Sequence, residues 1–192
     1  LPGETVNVWR PADRAALEAD WEGERGVAED FVDHLVAIHS VAPEKLEGVV
    51  PRRDFRATVA RWRGIYEEVR LVPDSVVEEA YAWILDNEPA PVPPRLVHGD
   101  YRIGNCLVDR GRVSAILDWE LATVGDPRFD LGYMALEYSS GRFVGPGSRL
   151  TGAVAERDWL ERRYAAATGE PVDRSVVDLY AAMGALMLFS IM

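Results

Sequence analysis

Residues 98–105 read "HGDYRIGN". An imidazole, a carboxylate, a guanidinium and an amide fall within one short stretch that also holds Gly99 and Gly104. Glycine weakens helices and strands alike, and so many polar groups would be costly to bury in a core element. The stretch therefore reads as a loop. Asp100 and Asn105 are ordinary turn-formers, so the loop alone does not separate a turn from a reactive site.

The residues C-terminal to the loop separate the two. Residues 105–108 and 112–117 are two apolar runs parted by "DRG", which predicts a β-hairpin. A turn near Asp109–Gly111 sets Asn105 opposite Ala115 or Ile116. Asp118 then lies a residue or two further on, at about 3.3 Å per residue. Asn105 and Asp118 converge at one end of the hairpin, and Asp100 arrives there on the preceding loop. Oxygen ligands with room left for phosphate oxygens suit Mg²⁺. Asp100 is then left to orient an alcohol and accept its proton during phosphoryl transfer. A carboxylate with an ordinary pKa of about 3.9 is a weak base, so its main work would be positioning.

Around this unit the chain is helical. Pro11–Trp21 starts with proline at its first turn. Val27–Ser40 repeats Val27, Phe31, Leu35 and Ile38 at helical spacing. Asp54–Val69 forms a third helix, and Asp74 or Ser75 caps a fourth that runs to about Asp86. "EPAPVPP" (88–94) predicts an extended linker, and Arg95–Val97 a short extended entry. Helix returns over Phe129–Tyr138, Ala153–Thr168 and Arg174 to the end. The fold class is α+β and mainly helical, in one domain: a helical part and linker (1–94), the loop and hairpin region (95–126), and C-terminal helices (127–192).

Composition narrows the function. The net charge of −11 over 192 residues offers no basic footprint for nucleic acid and no attraction to an anionic membrane. It allows a cationic substrate without requiring one. Ala181–Met192 is shorter than the roughly 20 residues that cross a bilayer. Cys106, the only cysteine, reads as a small core residue; a reducing, cytoplasmic setting is expected. His34 and His39 are five apart, which is not zinc-helix spacing, and read as structural. Trp62, Tyr66, Tyr81 and Trp83 read as core. "RRDFRATVARWR" (52–63) reads as a solvated basic helix face, with a phosphate or coenzyme A contact as its alternative.

The spacing is also that of a kinase catalytic loop: H-R-D, four residues, N, then a hairpin to a metal-binding Asp. Here His98-Gly99-Asp100 replaces H-R-D, and Asp118-Trp119-Glu120 stands at D-F-G. With "LVHGDYRIGNCLVD", "VSAILDWELATVGDPRFDLGY" and "LVAIHSV", the chain resembles the C-terminal lobe of the aminoglycoside phosphotransferase-like family, which has the protein-kinase-like fold. It is similar in particular to the phosphotransferase domains associated with acyl-CoA dehydrogenases.

The resemblance implies that Asp100 is the catalytic base and that Asn105 and Asp118 hold Mg²⁺, with ATP or GTP as phosphate donor. It makes His98 a loop-organising residue and Asp130 a brace for the catalytic loop. Glu120 would touch a metal-bound water or the substrate, or stabilise the loop. Aminoglycosides, other amino-alcohols and hydroxyacyl-coenzyme A thioesters all fit as acceptors.

No glycine-rich loop precedes the motif, and Lys45, the only lysine, is a poor candidate for a phosphate-binding lysine. The chain is therefore expected to be the C-terminal lobe without its N-terminal ATP-binding lobe. It would be nearly inactive alone, and would associate as a homodimer through the surface the missing lobe leaves. The rival expectation is a kinase-like module that binds a ligand or partner without turnover.

Overall fold

The computed structural model describes residues 2–142 and 145–191; Leu1 and Met192, at the two expected boundaries, lie outside them. Its helices are α1 (Pro11–Glu22), α2 (Gly26–His39), α3 (Phe55–Val69), α4 (Ser75–Asp86), α5 (Arg128–Met134), α6 (Arg157–Thr168) and α7 (Arg174–Ile191). The strands are β1 (Glu4–Thr5), β2 (Arg95–Val97), β3 (Cys106–Asp109), β4 (Arg112–Ile116) and β5 (Thr123–Gly125). The expected mainly helical α+β class is what the chain adopts.

Local chemistry accounts for most of the helices. Asp54 caps α3 by accepting the Ala57 amide at 2.8 Å, and Asp74 caps α4 through the Val76 amide at 2.9 Å. On α2, Val27, Phe31, Leu35 and Ile38 are all buried, as their spacing requires. Gly169, at φ 75°, ends α6. The proline-rich segment after α4 carries neither helix nor strand before β2.

Two sheets hold the loop region. In the first, β1, β3 and β4 pair antiparallel in that order; in the second, β2 pairs antiparallel with β5. The hairpin forms, with a register unlike the expected one. Leu107 pairs with Ala115 but Val108 with Val113, so Ser114 is an extra, bulged residue. Its hydroxyl donates to the Pro2 carbonyl at 2.6 Å, which ties down β1. Asn105 consequently faces Leu117, whose amide it accepts at 2.8 Å, and not Ala115 or Ile116.

Two cores flank the loop. One is built by α1, α2, α6 and the first sheet, and includes Phe31, Tyr101, Ile103, Val113 and Leu160. The other joins α3, α4, α5 and α7 through Val59, Tyr81, Tyr133, Tyr180 and Met183. α5 belongs to both, giving Leu131 and Met134 to the first and Phe129 and Tyr133 to the second. α7 is long and apolar enough to cross a membrane, yet it packs along α5, α3 and α4 as a core helix.

Several expectations need correction. α5 stops at Met134 instead of reaching Tyr138, and a short 3-10 turn (Tyr138–Ser140) then turns the chain so that Tyr138 meets the Trp9 ring. α6 begins at Arg157, since Ala153 takes φ 62° in a turn closed by the Thr151–Ala155 bridge. Trp83 is half exposed: the buried face of α4 is Val77, Tyr81 and Ile84, and Trp83 lies off it. Leu71, Val72 and Val76, between the end of α3 and the start of α4, are large apolar side chains left exposed.

The α5–α7 crossing depends on Gly132. A Cβ there would lie 2.5 Å from the Tyr180 Cβ and 2.6 Å from its carbonyl carbon. Gly132→Ala is therefore expected to cost about 1–3 kcal/mol, read as a lower urea midpoint. An unchanged midpoint would show that the crossing can open without loss.

Candidate active site

The loop after β2 is organised by one carboxylate. Asp130, fully buried on α5, accepts the His98 amide at 2.8 Å on one oxygen and the Gly99 amide at 2.9 Å on the other. Two successive amides converge because Gly99 sits at φ 86°; a Cβ there would come within 2.6 Å of the Leu121 carbonyl oxygen. His39 Nε2, from α2, reaches Asp130 at 3.1 Å, while its Nδ1 meets the Tyr164 hydroxyl of α6 at 2.7 Å. Burial pushes the Tyr164 phenol well above its ordinary range, and the Asp130 carboxylate can only accept, so in the neutral imidazole Nδ1 is left to the Tyr164 hydroxyl proton. His39 Nδ1 is then an acceptor and Nε2 the donor to Asp130.

His98 joins the two loops of the site. Its buried ring accepts the Asp100 amide at 3.2 Å through Nδ1 and donates from Nε2 to the Leu117 carbonyl at 2.8 Å. Both nitrogens are used, which leaves none for proton transfer to a substrate. The Trp119 ring covers it at 4.7 Å.

Asp100 is held by two side chains. Arg102 Nε donates to one carboxylate oxygen at 3.1 Å and Asn105 Nδ2 to the other at 2.9 Å. Tyr133 lies one turn after Asp130 on α5, and burial with the negative charge of Asp100 pushes its phenol pKa well up. Each carboxylate oxygen carries two lone pairs, so acceptor capacity remains for a substrate hydroxyl. Gly104 makes room for Arg102: any Cβ there would run into the guanidinium.

Asn105 and Asp118 flank the open end of the hairpin. Asn105 Nδ2 is committed to the Asp100 carbonyl at 3.0 Å as well as to its carboxylate, which leaves Oδ1 without a protein partner among the described residues. Asp118 sits exposed in the left-handed region at φ 66°, and its carboxylate likewise has no partner among them. A non-glycine residue there is strained by about 1–3 kcal/mol. Two unpartnered oxygen donors of this kind fit a hard cation that keeps several waters. Glu120 is exposed in the adjacent 3-10 turn.

Sequence reasoning thus placed Asp100, Asn105, Asp118, His98 and Asp130 in one region, and the structure brings them together. It missed Arg102 and Tyr133 as neighbours of Asp100. Asp130 and Tyr133 are three apart on one helix face, and that spacing was the available signal.

A family model described as the phosphotransferase enzyme family matches residues 6–167. The chain belongs to that family. Human acyl-CoA dehydrogenase family member 11 is 30% identical over 140 residues, covering 70% of this chain and 17% of the relative. The chain spans 8–17% of the length of such relatives. Among solved structures, one from Ralstonia eutropha, named as a provisional aminoglycoside phosphotransferase, superposes with TM-score 0.74 at 20% identity, covering 100% of this chain and 60% of that one. An aminoglycoside phosphotransferase of Streptomyces rimosus in complex with ADP and streptomycin gives TM-score 0.58 at 20% identity, covering 85% of this chain and 62% of that one. The fold is the kinase-like fold of the aminoglycoside phosphotransferases.

Two measurements test this geometry. Asp130→Ala strips two buried amides of their acceptor, at about 1–3 kcal/mol each. It is expected to lower stability far more than Asp130→Asn, which keeps one acceptor; equal losses would remove the bracing argument. Cys106 is fully buried and its thiol is pushed up to about 12. Ellman's reagent at pH 8 is expected to find no reactive thiol in the native chain and one after unfolding. Rapid native reaction would contradict that burial.

Proposed function

We propose that this chain is the catalytic lobe of a magnesium-dependent kinase that moves the γ-phosphoryl group of ATP or GTP to an alcohol on a small molecule. The observation that carries the reading is Asp100, fixed by Arg102 and Asn105 on a loop braced by Asp130, beside two unpartnered oxygen donors. Family membership supports it.

In this reading Asn105 and Asp118 hold Mg²⁺, which when bound neutralises the charge of the phosphates. Asp100 orients the acceptor hydroxyl. As the oxygen–phosphorus bond forms and the bond to the β-phosphate bridge breaks, the hydroxyl proton passes to the Asp100 carboxylate and the nucleoside diphosphate leaves. His98 keeps the base loop and the metal loop in register, and Asp130 is a positioning residue for the backbone at 98–99. Glu120 is assigned to the outer shell of the metal site.

The chain spans 60% of its structural neighbour from Ralstonia eutropha. We assign the remaining nucleotide-binding parts to a longer protein, and expect the 192 residues alone to transfer phosphate very slowly. The acyl-CoA dehydrogenase relatives favour a hydroxyacyl-coenzyme A acceptor; the streptomycin complex of the Streptomyces rimosus enzyme supports an amino-alcohol as the alternative.

The test is phosphate transfer by the longer protein with Mg²⁺ against hydroxyacyl-coenzyme A esters and aminoglycosides. Asp100→Asn is expected to cut turnover by about 100- to 10,000-fold while nucleotide still binds. Unchanged turnover would remove Asp100 from the chemistry. Nucleotide binding with no transfer to either class would favour a non-catalytic binding module.

A further inference from the structure

A narrow cleft of about 40 Å³, open to solvent at its mouth, lies beside the catalytic loop. Gly99, next to Asp100, forms part of its wall, and Phe55, Trp62 and Phe129 give it apolar sides. Along α3 the lining residues Phe55, Thr58 and Trp62 recur at helical spacing, so one face of α3 is turned to the cleft.

Two cations line this cleft: Arg53 and Arg61. Neither has an acidic partner among the described residues; the Arg61 guanidinium lies over the Trp62 ring at 5.2 Å, and three other arginines nearby are paired. Arg56 pairs with Glu88 at 2.6 Å, Arg63 with Glu78 at 2.9 Å, and Arg128 with Asp126 at 2.5 Å. The two carboxylates that line the same cleft are already engaged. Asp54 accepts the Ala57 amide as the cap of α3, and Asp126 is held by Arg128 and by the Tyr180 hydroxyl at 2.7 Å.

The backbone of Arg53 is fixed in place. Its amide donates to the Val124 carbonyl at 2.9 Å, and Gly125 lets its carbonyl pack close against β5. It also borders a second hollow that continues outward past Arg52 and the proline-rich segment. Partial burial and the Arg61 charge hold its guanidinium below the ordinary arginine range. Arg53 is half-buried and Arg61 exposed, so both guanidiniums can be reached from solvent by an anion.

We propose that Arg53 and Arg61 bind an anionic group, phosphate or carboxylate, of the acceptor whose hydroxyl reaches Asp100. The inference rests on the kinase reading for what the bound molecule is, and it selects an anionic acceptor over a polycationic aminoglycoside. The apolar walls take the carbon chain between the two ends, and Arg52 lies along the outward path of the anion.

The experiment is calorimetric titration of the full chain, without nucleotide or Mg²⁺, with coenzyme A, with a medium-chain hydroxy acid, and with kanamycin. Coenzyme A supplies phosphate and the hydroxy acid supplies carboxylate, so the two sources separate. At least one is expected to bind, with affinity falling tenfold or more in Arg53→Gln/Arg61→Gln and largely kept in Arg53→Lys/Arg61→Lys. Arg162→Gln, on the far exposed face of α6, controls for net charge. Binding of neither anion, or binding indifferent to the two arginines, overturns the proposal, as does tighter binding of kanamycin. Asp100→Asn keeps this failure apart from failure of the kinase reading. Arginine-dependent binding that survives in Asp100→Asn, with no phosphate transfer in the longer protein, sinks the kinase reading and leaves the anion site. Transfer to aminoglycosides that ignores both arginines does the reverse.

Discussion

The Asp130 carboxylate is the constraint on which the rest of the site depends. It lies at zero exposure and is satisfied by two backbone amides of one loop and an imidazole from another element. In a low-dielectric interior such bonds are strong when complete and costly when broken. The carboxylate therefore holds the backbone at residues 98–99 to α5, and through His39 and Tyr164 to α2 and α6. Asp100 inherits its position from that backbone, and Tyr133, on the same face of α5, meets it from the other side.

Packing explains why α5 can carry this load. It is a short helix that shares both cores, and Gly132 lets it approach α7 at backbone distance. Movement of α5 would disturb two hydrophobic clusters at once. The loop carrying Asp118 hangs from a different device, the β3–β4 hairpin, and His98 bridges the two by taking the Asp100 amide on one nitrogen and reaching the Leu117 carbonyl with the other. The carboxylates of Asp100 on one loop and Asp118 on the other are thus held in register by a single buried ring.

Much of this was legible in the sequence where local chemistry decides. Caps at Asp54 and Asp74, the α2 stripe and the glycine after α6 depend on near neighbours. The hairpin was legible too, but its register was not, because the Ser114 bulge is stabilised by a contact to Pro2, which is distant in sequence. β1 and β5 are only two and three residues long and exist through their partners. Trp83 was assigned to the core by its type and lies half exposed, because side-chain type does not say which face of α4 meets α3 and α7. The basic segment 52–63 splits: Arg56 and Arg63 are paired, and Arg53 and Arg61 line a cleft.

By itself the sequence determined the fold class and the residue types on the 98–105 loop and at Asp118, since periodicity, caps and motif spacing are properties of the chain read in order. Only the tertiary structure decided what those residues touch. Tyr133 near Asp100, His39 and Tyr164 behind Asp130, and Arg53 and Arg61 beside Gly99 are products of packing between distant segments. A buried donor's partner and a charge's counter-ion are set by where helices cross, and local propensity carries no record of that.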